Sequence, residues 1–266
     1  MDSYLIWKLT EGISQLTDPT NAAHTMLYDI TQSCWDDEIC GLLDVPQSLL
    51  LAVHDCASDF GITGLFGGTI PILGVAGDQQ AATIGQACLE PGMLKLTYRT
   101  GCFALLNTSG TLVQSQNQML GTIAYQFDGK PTYALKGLIF FAGAVMQWLR
   151  GGLEIIRQAS EAADIDASTD LTQSLYRVPA FTGLDAPYWD AECKGTVFGL
   201  TRNSGPRGIV KAALQGVGYQ TCDLLMVIQD DMGASGHAIR RLERRSAADF
   251  GLEGLLGCEA LKIIIS

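Results

Sequence analysis

An aspartate held where a strand gives way to a helix can face a ligand, and the pattern around Asp78 gives it that setting. The apolar run ending at Ala76 reads as a buried strand, Gly77 as a tight exit, and Asp78 as the cap of a helix through about Cys88. An acid so placed stands at the carboxyl end of its strand, where open α/β sheets hold their ligands. Beyond the Pro91-Gly92 turn, residues 94–98 and 102–107 are β-rich and enclose Arg99-Thr100-Gly101, a hairpin with a polar tip. Ala142-Gly143-Ala144, in GLIFFAGAVMQWLRGGL, is a small-residue start to an apolar helix that permits close approach of a ligand or of another backbone. Each feature also has a plain structural reading, as helix cap, hairpin turn and packing surface, and the residue types alone leave both readings open.

The elements that must position these residues alternate between strand and helix, which indicates the α/β class. Residues 3–10 read as a short apolar helix or strand. TDPTNAAHTMLYDI (17–30) and WDDEICGLLDVPQSLL (35–50) each open on capping residues and read as short helices. The glycines of GITGLFGGTIPILG (61–74) do not follow a strand as G-x-G-x-x-G, so this stretch reads as a linker. Residues 122–126 and 132–136 bracket a turn at Asp128-Gly129-Lys130, and residues 153–170 have a polar helical pattern. VPAFTGLDAPYWD (178–190) reads as an irregular loop held by Phe181, Tyr188 and Trp189. Residues 208–232 form one long amphipathic helical pattern.

The 266 residues suffice for one large or two small domains, and 47% hydrophobic content is ample for a core. A net charge of −11 argues against nucleic acid or an anionic membrane as partner. The eight cysteines contain no C-x-x-C pair, so reduced thiols in a cytoplasmic protein are expected, without a metal site. MDSYLIWKLTEG lacks the basic start and long apolar core of a signal peptide, and the most apolar stretch, residues 137–149, is too short to span a bilayer.

GDQQAA, followed one helix later by TYRTGCF, resembles the start of the C-terminal domain of the FGGY carbohydrate kinases. VPAFTGLDAPYWD and residues 17–30 and 35–50 resemble its glycerol-phosphorylating branch rather than its xylulose and gluconate branches. The resemblance implies the actin-like, ribonuclease H-like ATPase fold, incomplete at both ends. Residues 1–70 would be the later part of the N-terminal domain with its linker, residues 71–236 a truncated C-terminal domain, and residues 237–266 a divergent tail. It also implies that ATP, with Mg²⁺, phosphorylates glycerol. By resemblance Asp78 is the catalytic base and a substrate contact, Gln79 lies beside the polyol, and Phe103 walls its pocket. Thr100 then lies at the nucleotide phosphates, while Gly143 and Gln147, one helical turn apart, contact the nucleotide.

Several positions depart from the family pattern. Arg99 replaces a usual Gly and would either meet a phosphate or block the approach of the backbone. Asp185 also replaces a Gly, with strain expected if a positive φ is needed there. His24, Gly208 and Gln215 differ from the commoner residues. The resemblance ends near Gly236, after which Arg240, Arg241, Arg244 and Arg245 suggest a basic helical face. The family's G-x-D-x-G-T-T-x-x-R phosphate motif and its Arg-Glu polyol clamp have no counterpart in these residues. Two functional expectations follow: an ATP-dependent glycerol-phosphorylating enzyme, or a catalytically silent part of one that binds a partner or completes a site in trans. Another polyol or sugar is a further candidate substrate, little or no activity is expected of the isolated chain, and association into a homo-oligomer would cover apolar area left open.

Overall fold

Capping residues begin the second and third helices where the sequence puts them. In the computed structural model, which describes residues 1–168, 175–233 and 241–242, the carboxylate of Asp18 accepts the N–H groups of Thr20 and Asn21 and starts α2 (Pro19–Ala22). Asp36 caps α3 (Asp37–Leu42) in the same way, through the N–H of Ile39. The described residues divide into two compact units.

The first unit takes in residues 1–91, 107–113 and 121–134. Besides α2 and α3 it contains α1 (Asp2–Leu9), β1 (Leu16–Thr17), β2 (Tyr28–Asp29), β3 (Cys34–Trp35), β4 (Ala52–Val53), β5 (Ile62–Thr63), β6 (Ile70–Pro71) and α4 (Asp78–Gly85). Strand β1 pairs in parallel with β4, while β2–β3 and β5–β6 are antiparallel. A core cluster of Ala22, Tyr28, Ile123 and Tyr133 is covered by Ile30, Trp35, Val53 and Leu112. Residues 61–74, read as a linker, form a β-hairpin closed by Phe60 N–H to Ile72 O at 2.9 Å and Ile72 N–H to Gly61 O at 2.8 Å. The strand expected before Asp78 does not form, because its amides go to separate acceptors: Val75 to Cys56 O at 2.9 Å and Gly77 to Thr20 Oγ1 at 2.8 Å.

The second unit takes in residues 92–106, 114–120 and 135 onward. The next strands are β7 (Leu94–Tyr98), β8 (Cys102–Ser109), β9 (Leu120–Phe127) and β10 (Lys130–Ile139), the last three having residues in both units. Then come α5 (Gly143–Gln147), a π-helical turn at Trp148–Gly152, α6 (Ala159–Ser168), β11 (Tyr176–Val178), β12 (Thr196–Phe198), α7 (Pro206–Asp231) and β13 (Arg241–Leu242). The main sheet has the order β13-β7-β8-β10-β9. All five residues of β7 are buried, as in a strand covered on both faces. Helix α7 buries Val210, Ala213, Leu214, Val217, Leu224, Leu225 and Ile228, the spacing of an amphipathic helix.

Three further differences have physical causes. Gly137 lies in β10 and not in the apolar helix that follows: a Cβ there would come within 2.5 Å of Leu224 Cδ1 and Met119 Cε, which close over the strand. The helix read from residue 153 begins only at Ala159, after the π-turn. Arg241 lies in β13, parallel to β7 in the register Arg241↔Lys95, rather than on a helical face, while Arg240, Arg244, Arg245 and the remainder of the tail lie outside the described residues.

Candidate active site

Asp78 is the first residue of α4, and Gly77 takes the capping position expected of Asp78. The aspartate side chain is exposed, and its Oδ1 accepts the N–H of Gln79 at 2.8 Å. An acid in the first helical turn is favoured there by the helix dipole. Gln79 is half-buried, and its carbonyl accepts the Thr83 hydroxyl at 2.9 Å. Beneath them Gln80 is fully buried, its Nε2 donating to Ile123 O at 3.4 Å.

The approach to Asp78 rests on a polar cluster that pattern reading missed. Asp18, with 0% exposure, accepts the Thr20 hydroxyl at 2.6 Å, the Asn21 amide at 2.6 Å and the Cys56 thiol at 3.3 Å. Burial, reinforced by the Asp18 charge, pushes the Cys56 thiol up to about 12, so it stays protonated and able to donate. The capping pattern TDPTN was visible in the sequence, but its partners at Cys56 and Gly77 are distant along the chain.

In the second unit the polar hairpin and the small-residue helix start are joined by backbone. Thr100 O accepts the N–H groups of Ala142 at 2.9 Å and Ala144 at 3.1 Å, and Arg99 O accepts that of Gly143 at 2.7 Å. Thr100 and Gly143 are thus brought together, with Gln147 exposed at the end of α5. Gly101 is required between β7 and β8, since a Cβ would lie 2.3 Å from Ile139 O. Phe103 is half-buried on β8, in register with Thr97 of β7. Arg99 is exposed and has no left-handed backbone, so a side chain is accommodated there without backbone strain. Asp185 likewise avoids positive φ, which removes the expected strain; it is buried, and that burial raises its carboxyl.

Comparison with known proteins now identifies the family. The N-terminal domain of the FGGY family of carbohydrate kinases matches residues 1–85, and the C-terminal domain of that family matches residues 94–243. The chain belongs to the FGGY family of carbohydrate kinases. It is 60% identical over 259 residues to a glycerol kinase of Roseobacter denitrificans, covering 96% of this chain and 52% of the relative. A glycerol kinase of Cereibacter sphaeroides is 59% identical over 258 residues, with the same coverage. The structure is similar to that of Plasmodium falciparum glycerol kinase with ADP, at a TM-score of 0.83 and 35% identity over 94% of this chain and 51% of that one. A xylulose kinase of Rhodospirillum rubrum shares the fold at a TM-score of 0.74 and 19% identity, over 94% of this chain and 51% of that one. This FGGY chain therefore spans about half the length of the curated relatives it matches. Its mixed α/β architecture is the actin-like ATPase fold of the FGGY kinases, as the sequence resemblance implied. Among the described residues no helix is long and apolar enough to cross a membrane.

Proposed function

We propose that this chain carries the base and the nucleotide-facing hairpin of an ATP-dependent glycerol kinase. The observation that carries the reading is the exposed carboxylate of Asp78 at a backbone-anchored helix start, in a chain 60% identical to a glycerol kinase. Asp78 takes the proton of a glycerol hydroxyl as that oxygen bonds to the γ-phosphorus and the bond to ADP breaks. Gln79 and Phe103 border the polyol, one through its amide and the other through its ring. Thr100 presents its hydroxyl to the phosphates, on a hairpin tip braced by Ala142 and Ala144, and Gly143 and Gln147 meet the nucleotide.

Mg²⁺ enters this reading as the companion of ATP. When bound it neutralises phosphate charge. The reading places the chain in the cytoplasm, where thiols such as Cys56 and Cys102 stay reduced. Copies of the chain would associate through exposed apolar residues such as Leu65 and Phe66 on the β5–β6 hairpin.

The test is ADP production with glycerol and Mg²⁺-ATP, comparing the chain with Asp78→Asn. ADP formation that needs glycerol and is abolished by the substitution supports the reading. Equal activity in both proteins overturns the assignment of the base. No activity in either favours the second reading, a silent part of a kinase.

A further inference from the structure

We propose that Asp18 is a positioning residue for Asp78, acting through two arms, Thr20 and Cys56, on the backbone that leads into α4. The proposal rests on the reading of Asp78 as base. Capping α2 needs only the N–H groups of Thr20 and Asn21, at 2.9 and 3.3 Å. Asp18 does more than that: it also takes the Thr20 hydroxyl at 2.6 Å and the Cys56 thiol at 3.3 Å while completely buried.

Each arm has a direction. With its proton committed to Asp18, the Thr20 hydroxyl has lone pairs left to accept, and it receives the Gly77 N–H at 2.8 Å. Cys56 donates its S–H to the same carboxylate oxygen, and its carbonyl receives the Val75 N–H at 2.9 Å. Its sulfur also accepts the Gln126 N–H at 3.3 Å, which anchors that arm in the first unit. Val75 and Gly77 are thus tied to one buried charge just before Asp78. Gly77 passes the constraint on, because its carbonyl accepts the Ala81 N–H at 2.8 Å and so opens α4.

Asp78 depends on this support. Its carboxylate is exposed and accepts its neighbour's N–H, so the backbone sets where it points. No strand ladder holds the approach, and the two arms stand where ladder bonds would have been. A general base misplaced by about an ångström loses roughly a hundredfold in rate. Buried charge-assisted hydrogen bonds are strong enough to prevent such a drift.

The test uses the full chain with Thr20→Val, Thr20→Ser and Asp18→Asn, read by amide hydrogen exchange in NMR and by the kinetics of glycerol-dependent ADP formation. In Thr20→Val the Gly77 amide should exchange about tenfold faster or more, with the Leu96 and Ala104 amides of the β7–β8 ladder unchanged. The rate constant kcat should fall about 10- to 100-fold with KM for glycerol within about twofold, since only placement of the base is lost. Thr20→Ser should restore both, and Asp18→Asn should also loosen Val75. Unchanged Gly77 exchange in Thr20→Val, failure of serine to rescue, or an unchanged kcat would overturn the proposal. If the parent chain forms no ADP, the kinase reading of the chain falls, while fast Gly77 exchange rescued by serine still upholds the tether. Should Asp18→Asn fail to fold, the two Thr20 variants decide the matter.

Discussion

The guanidinium carbon of Arg177 lies 4.6 Å from the centre of the Trp148 ring. Phe181 meets the same group at 4.5 Å, and both terminal nitrogens, buried, lack a hydrogen-bond partner among the described residues. Burial pushes this guanidinium down to about 10. Two cation–π contacts return about 1–2 kcal/mol each when desolvated, less than the several kcal/mol that an unpaired buried charge costs. Arg177→Leu is therefore expected to stabilise the fold by about 1–2 kcal/mol, raising Tm by roughly 2–6 °C in thermal unfolding followed by circular dichroism. A lower Tm would show that the aromatic pair more than compensates the charge.

Gly101 is the tightest point of the β7–β8 hairpin. A methyl group there would meet Ile139 O at 2.3 Å and Phe140 O at 3.0 Å, both backbone atoms that cannot move aside cheaply. Gly101→Ala should destabilise the chain by about 2–4 kcal/mol in urea titration. It should also weaken ADP binding in calorimetry at a temperature where the variant is still folded.

Asp78→Asn should separate chemistry from stability. The side chain is exposed at a helix start, so the change should cost less than about 1 kcal/mol, the size of a helix-dipole contribution. If Asp78 is the base, the same change should remove at least about a hundredfold of any glycerol-dependent ADP formation. A large loss of stability would assign Asp78 a structural role instead.

The buried thiols Cys56 and Cys102 give the fold an alkaline limit. Burial pushes each up to about 12 from an ordinary thiol value of 9.0, so both stay protonated when folded while the unfolded chain ionises them. The stability they contribute is fully present below about pH 9 and is lost as pH rises from there toward 12, by up to about 1.4 kcal/mol per pH unit for each thiol. Urea midpoints at pH 8, 9 and 10 should fall accordingly. Cys102→Ala, though less stable at pH 8, should show a shallower decline.

Local chemistry in the sequence was enough to determine the elements that need few distant partners. Helix α7 (Pro206–Asp231) matches a pattern read over residues 208–232, because its apolar stripe and its proline start are properties of consecutive residues. The β7–β8 hairpin and the turn at Asp128 and Gly129, both with positive φ, were legible for the same reason. The family words around Asp78, Thr100 and Phe103 were equally visible. Only the tertiary structure decided what each apolar run became. Residues 72–77 have strand-like composition but bond singly to Gly61, Cys56 and Thr20, and residues 137–139 extend β10 because Met119 and Leu224 close over Gly137. The buried hub at Asp18 and the stacking of the Arg177 guanidinium on Trp148 and Phe181 were hidden in the same way. A side chain's hydrogen bonds and desolvation depend on residues tens of positions away, and periodicity within a short window holds no record of them.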